Sequence, residues 1–306
     1  MINKEIYRVL IEKFGKKSNF EGFKAILIDY LIIGITVFLS EEWVMHMTGV
    51  LFFSCYFLIC IILASRYRGF EILVHEASHN NVFATNAYNR NFQFLFAYPV
   101  FLHVRTYAKI HLEHHQLIGD FEKDPDILIY KKWGLDKLPE NKLWVLYLRP
   151  LSLFFTWDHL RTTFLNFWLI KEDRLTKIIY WSIVLLVITL FDGWYYVGVY
   201  YLIPFYILLP VLRFYARANE HTGVDFSIES RSARNNLGFF HRYILHPHGD
   251  GYHQVHHLVA SVPFFNLPKA HHFLLTNNFK FLDSNSPITS LAMMEKGCKD
   301  TESSWS

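Results

Sequence analysis

Long apolar runs alternate with charged segments along the chain. Four runs stand out and form two pairs, residues 25–40 with 48–65 and residues 178–191 with 194–212. A helix of ~20 apolar residues spans the hydrocarbon core of a bilayer, so the runs predict four transmembrane helices in two hairpins. The first and third runs are short for a span, and Asp29 lies inside the first.

The placement of charge favours the same interpretation. None of the 30 lysines and arginines lies within 25–65 or 178–212, the segments that hold the four runs and their turns. Core helices of a soluble protein would usually leave a Lys or Arg at such turns. By the positive-inside rule, both termini and the segment 66–177 are expected to face the cytoplasm. The net charge of +3 then reflects orientation in a membrane, and nucleic acid is not an expected partner.

The runs predict an all-α integral membrane protein with a single domain over residues 1–306. Its expected segments are a cytosolic or interfacial N-terminus (1–24), the first hairpin (25–65), a cytosolic segment (66–177), the second hairpin (178–212), another cytosolic segment (213–283) and a tail (284–306). In the first segment, Ile6, Leu10 and Phe14 fall on one helical stripe. Such a helix either lies in the membrane interface or packs on the cytosolic part of the protein.

Three histidine clusters lie in the predicted cytosolic segments, at 75–79, 111–115 and 253–257. Their histidines are His75, His79, His111, His114, His115, His253, His256 and His257. Residues three and four apart share one face of a helix, so each cluster directs its imidazoles the same way. One zinc ion takes about four ligands, so eight imidazoles predict a site with two metals.

The first cluster alone has another interpretation. His75-Glu76-x-x-His79 is the zinc metalloprotease pattern, in which Glu76 would be the general base. An intramembrane protease would leave the other two clusters unexplained, so we expect Glu76 to accept a hydrogen bond from a ligand histidine instead. A histidine-lined metal transporter is a non-enzymatic alternative, but it would place its ligands inside the spans.

Three other polar residues are candidates for supporting the metal ligands. Asp124 and Asp126 either orient ligand histidines or form an ordinary Asp-Pro-Asp turn. His248 either supports the ligands in the same way or has a structural role.

The clusters and their surroundings resemble the integral-membrane fatty acid desaturase superfamily, which also includes membrane hydroxylases and carotenoid ketolases. The three clusters match the family's histidine boxes in type, order and spacing. Similarity extends through Asn89-Arg90, Asp124-Pro125-Asp126, Glu220-His221 and the segment 247–268, and covers roughly residues 60–275. The first box has three intervening residues where acyl-CoA desaturases have four, which favours the acyl-lipid, hydroxylase or ketolase branches.

The resemblance implies a non-haem di-iron site in a cytosolic helical cap, with two Fe2+ ions as cofactor and O2 as co-substrate. The eight box histidines would be ligands, and His221 a ninth. The implied activity is desaturation of a lipid acyl chain. Hydroxylation or ketolation of a lipid, carotenoid or small amphiphile is the alternative with the same site. An external electron donor of the ferredoxin or cytochrome b5 type is the expected partner, since no redox domain is recognised in the sequence.

Overall fold

The computed structural model describes residues 4–118, 120, 122–134, 147–221, 233–279 and 281. The predicted tail at 284–306 lies outside these residues. Within the described part of the chain the elements are all helical and no β-strand is formed, so the predicted all-α class is confirmed.

The helices follow in chain order, with short 3-10 and π turns between them. They are α1 (Lys4–Phe14), α2 (Asn19–Glu42), α3 (Gly49–Ser78), α4 (Tyr88–Asn91), α5 (Val104–Leu117), α6 (Pro125–Lys132), α7 (Leu153–Leu160), α8 (Asn166–Leu169), α9 (Arg174–Leu190), α10 (Trp194–His221), α11 (His253–Leu258) and α12 (Leu267–Thr276). The 3-10 turns are Val44–His46, Gln93–Leu95, Tyr98–Val100, Arg149–Leu151, Pro247–Gly249 and Phe264–Asn266. The π turns are Arg161–Leu165 between α7 and α8, Val197–Leu202 and Pro204–Leu208 inside α10, and His241–Leu245.

Three helical segments are long and apolar enough to cross a membrane: Asn19–His46, Gly49–Ser78 and Trp194–His221. They contain the first, second and fourth apolar runs, and their outward faces expose large apolar side chains, as Leu31 and Phe38 do on α2. The third run forms α9, which has 17 residues. At ~1.5 Å per residue a helix of that length is shorter than the ~30 Å hydrocarbon core.

Helix α3 links the membrane segment to the histidine clusters. It continues as one helix of 30 residues from Gly49 to Ser78, so the second predicted span carries His75 in its last turn. Asp29, the charged residue inside the first run, is fully buried against α3, where its Oδ1 lies 3.1 Å from Nη1 of Arg66. This ion pair explains how a carboxylate is accommodated in an apolar helix, because a buried charge needs a partner.

The N-terminal helix packs on the protein. Leu10 of α1 is completely buried in a cluster with Val255 of α11 and Leu274 of α12, and Ile6 and Phe14 pack against the same cluster. Of the two expectations for the apolar stripe, the structure therefore favours packing on the part of the chain that carries the third histidine cluster.

Close packing at the start of α2 gives a stability prediction. A Cβ atom added at Gly22 would lie 2.3 Å from the backbone oxygen of Val82, whereas nothing lies within 4 Å of a Cβ added at Gly34 on the same helix. Gly22→Ala should therefore destabilise the protein by about 1–3 kcal/mol through overpacking. Gly34→Ala is the matched control and should be neutral or stabilising by up to about 1 kcal/mol. Thermal unfolding in detergent measures both, and equal midpoints for the two variants would contradict the close contact.

Candidate metal centre

Nine histidines meet where four helices end. His75 lies in the last turn of α3 and His79 directly after it, and His221 is the last residue of α10. Helix α5 supplies the histidines at 111, 114 and 115, and α11 those at 253, 256 and 257. Side chains of α3, α5 and α10 pack on one another in one buried apolar core. Helix α11 packs in a second apolar cluster, with α1 and α12.

Five of the nine imidazoles converge in one group. One nitrogen each of His75, His79, His111, His115 and His256 lies within 4.8 Å of the others. Neighbouring Nε2 atoms are 2.9 Å apart for His79 and His111, 3.0 Å for His111 and His115, and 3.1 Å for His75 and His256. All three boxes contribute to this group.

The other four form a second group beside the first. Nitrogens of His114, His221 and His257 lie within 4.8 Å of one another. His253 joins them, with its Nε2 3.0 Å from Nε2 of both His221 and His257. The two groups touch, since the rings of His115 and His257 stack with centroids 4.4 Å apart.

These separations fit nitrogens that share a metal ion. Two imidazole nitrogens bound ~2.1 Å from one ion lie about 3.0–3.4 Å apart at ordinary coordination angles. Nε2 of His114 is buried and has no hydrogen-bond partner among the described residues. A buried polar nitrogen in that state is costly unless something binds it, so the donor set fits one metal ion in each group.

The electrostatic environment keeps most of these imidazoles neutral. Burial, together with the charges of neighbouring histidines, lowers the pKa of His79 to about 3 and that of His115 to about 2. The pKa values of His111, His256 and His257 are also lowered well below the usual range, mainly by burial. Neutral imidazoles keep the lone pair that a metal requires.

His114 differs because two carboxylates face it. Its Nδ1 lies 2.8 Å from Oδ1 of Asp124, which also accepts a hydrogen bond from the backbone N–H of Asp126 at the start of α6. Burial opposes protonation of His114, but the charges of Asp126 and Asp124 outweigh it and raise the pKa. The same negative charges favour a metal cation at Nε2.

The other supporting candidates lie at different distances from the histidines. Oε1 of Glu76 is 3.7 Å from Nδ1 of His256, and its Oε2 accepts a hydrogen bond from the backbone N–H of Phe264. Asp126 instead pairs with Arg217, at 3.7 Å. His248 lies in the loop before α11, with its Nε2 2.6 Å from Oδ2 of Asp29.

Two further carboxylates adjoin the centre, and the sequence did not single them out as supporting groups. Oδ1 of Asp250 lies 3.5 Å from Nδ1 of His75, and Oε2 of Glu220 lies 3.9 Å from Nε2 of His253. Arg68 holds both, at 3.2 Å from Asp250 and 3.6 Å from Glu220. Asp250 precedes α11 but does not cap it, because the N-cap residue is Tyr252. Both carboxylates could have been identified by their closeness in sequence to predicted ligand histidines. Glu220 directly precedes His221, and Asp250 lies three residues before His253.

A cavity of about 410 Å³ opens onto the histidines. His75, His111, His114 and His253 are among its lining residues, together with apolar side chains such as Phe101. This volume falls within the range of ordinary ligand pockets, so the cavity can hold a small molecule or part of a chain beside both groups.

A family model and a named relative each match most of the chain. The family model described as fatty acid desaturase matches residues 50–282. The dihydrorhizobitoxine desaturase of Bradyrhizobium elkanii is 27% identical to this chain over an alignment of 289 residues, and the match covers 88% of this chain and 78% of that protein. The range matched by the family model includes all nine converging histidines.

Proposed function

The chain belongs to the fatty acid desaturase family, and from this we propose that it is a membrane-bound di-iron enzyme that desaturates a lipid acyl chain with O2. The observation that carries the proposal is the convergence of nine imidazoles in groups of five and four, with histidines of both groups lining one cavity. Each group supplies enough nitrogen ligands for one ion, and imidazole-rich sites suit iron.

The proposed topology has four spans, with α9 as the third. Helix α9 exposes apolar side chains along most of its length, as a helix in contact with lipid would. Because it has only 17 residues, the turn that follows it would complete the crossing. Lys177 in its first turn donates to the backbone oxygens of Phe167 and Ile170, which fixes that end of the helix beside α8. The distribution of Lys and Arg supports a cytoplasmic location for both termini and for the metal centre.

Nine histidines are the proposed ligands, five for one iron and four for the other. When bound, the two irons would supply the activation of O2 that breaking an unactivated C–H bond requires. In the proposed role, Asp124 accepts the Nδ1–H of His114 and so keeps the lone pair of Nε2 directed at the metal. Glu76, Asp250 and Glu220 would hold the histidines of α3 and α11 in place.

The proposed reaction balances with one external reductant. Two hydrogens leave adjacent carbons of the chain and a double bond forms. One O2, two electrons and two protons, together with those two hydrogens, give two waters. An electron donor of the ferredoxin or cytochrome b5 type would supply the electrons. The cavity walls would hold one methylene near the histidines and exclude bulk water.

Desaturation is favoured over hydroxylation or ketolation by the named relative, which is a desaturase. The zinc protease is disfavoured by geometry as well as by family. A catalytic zinc keeps about three protein ligands and an open position, whereas His75 and His79 belong to a group of five imidazoles.

Metal and product analysis test the proposal. The purified protein should hold about two irons per chain, and a host with defined lipids should accumulate a product that has lost two hydrogen atoms. A product that has instead gained one oxygen atom would assign hydroxylation. A single zinc per chain would contradict the di-iron site.

A further inference from the structure

One polar side chain in the wall of the cavity has no partner of its own. His159 lies on α7, lines the cavity that opens onto the metal centre, and is 3% exposed. Both of its ring nitrogens are buried, and neither forms a hydrogen bond within the described part of the chain. A buried donor or acceptor without a partner costs about 1–3 kcal/mol, so an imidazole is a poor choice here for packing alone.

The polar groups next to His159 along the chain are engaged elsewhere. The carboxylate of Asp158 accepts hydrogen bonds from Lys132 and Arg161. The hydroxyl of Thr163 donates to the backbone oxygen of His159 at 2.6 Å and not to its ring. These neighbours therefore leave the imidazole nitrogens unsatisfied, and a group that enters the cavity can bind them.

The aromatic neighbours of His159 place it away from the metal centre. Its ring centroid lies 4.9 Å from that of Phe205 and 5.9 Å from that of Tyr206. On α10 these two residues precede His221 by sixteen and fifteen positions, which is about four turns of helix. His159 is therefore a polar position of the cavity that is separate from the converging histidines.

The other unsatisfied polar atoms of the cavity wall belong to the metal centre. Among the described lining residues, those with a buried polar atom that lacks a hydrogen-bond partner are, besides His159, Arg68, His114, Glu220 and His253. His114 and His253 are proposed ligands, and Arg68 and Glu220 adjoin them. The metal ions thus account for that end of the cavity but not for His159.

The chemistry of His159 favours an uncharged ligand group. Burial, together with the charge of Arg213, lowers its pKa well below the usual range, so the ring is neutral. Every Lys or Arg that lines the cavity is paired with a carboxylate, as Arg213 is with Glu71, and an anion would have to compete with those carboxylates. A neutral imidazole has one N–H donor and one acceptor nitrogen, which suit a hydroxyl or a carbonyl oxygen.

We propose that His159 binds an uncharged oxygen of the substrate, a hydroxyl or a carbonyl, and thereby positions the chain in the cavity. This inference rests on the proposed function and adds to it the class of substrate, a lipid that carries such an oxygen several carbons away from the oxidised bond. Because His159 and the metal centre lie at separate positions of one cavity, the hydrogen bond fixes how far the chain enters. It therefore selects which carbon lies beside the histidines.

Binding to the metal-free protein in neutral detergent tests the contact without catalysis. The probes are dodecane, dodecanol and methyl dodecanoate, which have the same carbon chain and carry no oxygen, a hydroxyl and an ester carbonyl. In His159→Leu, affinity for the oxygen-bearing probe that uses the contact should fall by at least about fivefold, because its oxygen is left unpaired, while affinity for dodecane is unchanged. Loss for dodecanol identifies a hydroxyl, and loss for methyl dodecanoate identifies a carbonyl.

Two conservative variants separate the hydrogen bond from the shape of the side chain. His159→Asn keeps a donor and an acceptor near the position of Nδ1, and His159→Gln keeps them near that of Nε2. One of the two should recover most of the affinity that His159→Leu loses, and the variant that does so identifies the nitrogen. No recovery in either would assign the effect to shape and overturn the hydrogen bond.

Tyr98→Phe is the matched control. Tyr98 is completely buried, its hydroxyl also lacks a partner among the described residues, and it does not line the cavity. The variant should bind all three probes like the wild type. Unchanged affinity of His159→Leu for both oxygen-bearing probes would overturn the proposal, because only water would then meet the imidazole. An equal loss for dodecane would also overturn it.

Product analysis of the iron-loaded enzyme tests the effect on position. His159→Leu should hold as much iron as the wild type, but it should form a mixture of double-bond positions from a substrate that the wild type oxidises at one position. An unchanged single position would overturn the positioning role. Oxygen-dependent binding by a protein that forms no oxidised product would contradict the proposed function alone.

Discussion

Replacing His114 with alanine should abolish iron binding by the group of four histidines and lower activity by more than about 100-fold, beyond the 10–100-fold typical of losing a supporting residue. His114 is 2% exposed, and its Nε2 has no hydrogen-bond partner among the described residues. Its removal also leaves the buried carboxylate of Asp124 without the Nδ1 contact. Iron per chain and product yield of the purified variant measure the effect.

His272→Ala is the control for that variant. His272 is an exposed histidine of α12, outside both groups, and its replacement should leave iron content and activity at wild-type levels. Thermal unfolding of the metal-free proteins separates loss of a ligand from loss of the fold. If the His114→Ala protein keeps two irons and full activity, His114 is not a ligand.

Asp124→Asn should weaken iron binding by about 10–100-fold while leaving the metal-free fold largely intact. Asparagine is as good an N-cap as aspartate, so the hydrogen bond to the backbone of Asp126 that starts α6 is retained. The variant removes only the negative charge 2.8 Å from Nδ1 of His114, which makes Nε2 a poorer ligand. Titration of the metal-free protein with Fe2+, monitored under anaerobic conditions, gives the affinity.

Asp126→Asn is the matched comparison within the same Asp-Pro-Asp sequence. Asp126 pairs with Arg217 at 3.7 Å, so its loss should lower thermal stability and weaken iron binding less than Asp124→Asn does. Equal loss of iron affinity in the two variants would show that the summed negative charge matters and not the contact with Nδ1.

The apolar segments show which features of the fold a hydropathy pattern can predict. Runs of apolar residues located three helices that are long and apolar enough to cross a bilayer, because that capacity depends on length and composition. For α9 the same pattern was insufficient, since a helix of 17 residues is at the lower limit of the length that a span requires. The hydropathy pattern also could not predict the burial of Asp29, because its partners Arg66 and His248 are distant from it in sequence.

Helical spacing by itself determined which histidines share a face of a helix, and hence that each cluster directs its imidazoles toward one region. Only the tertiary structure divided the nine into groups of five and four. Box two is split, with His111 and His115 in one group and His114 in the other. The spacing cannot specify this division, because it depends on how α3, α5, α10 and α11 meet. The contacts of Arg68 with Asp250 and Glu220 likewise depend on packing, since they join residues that only the folded chain brings together.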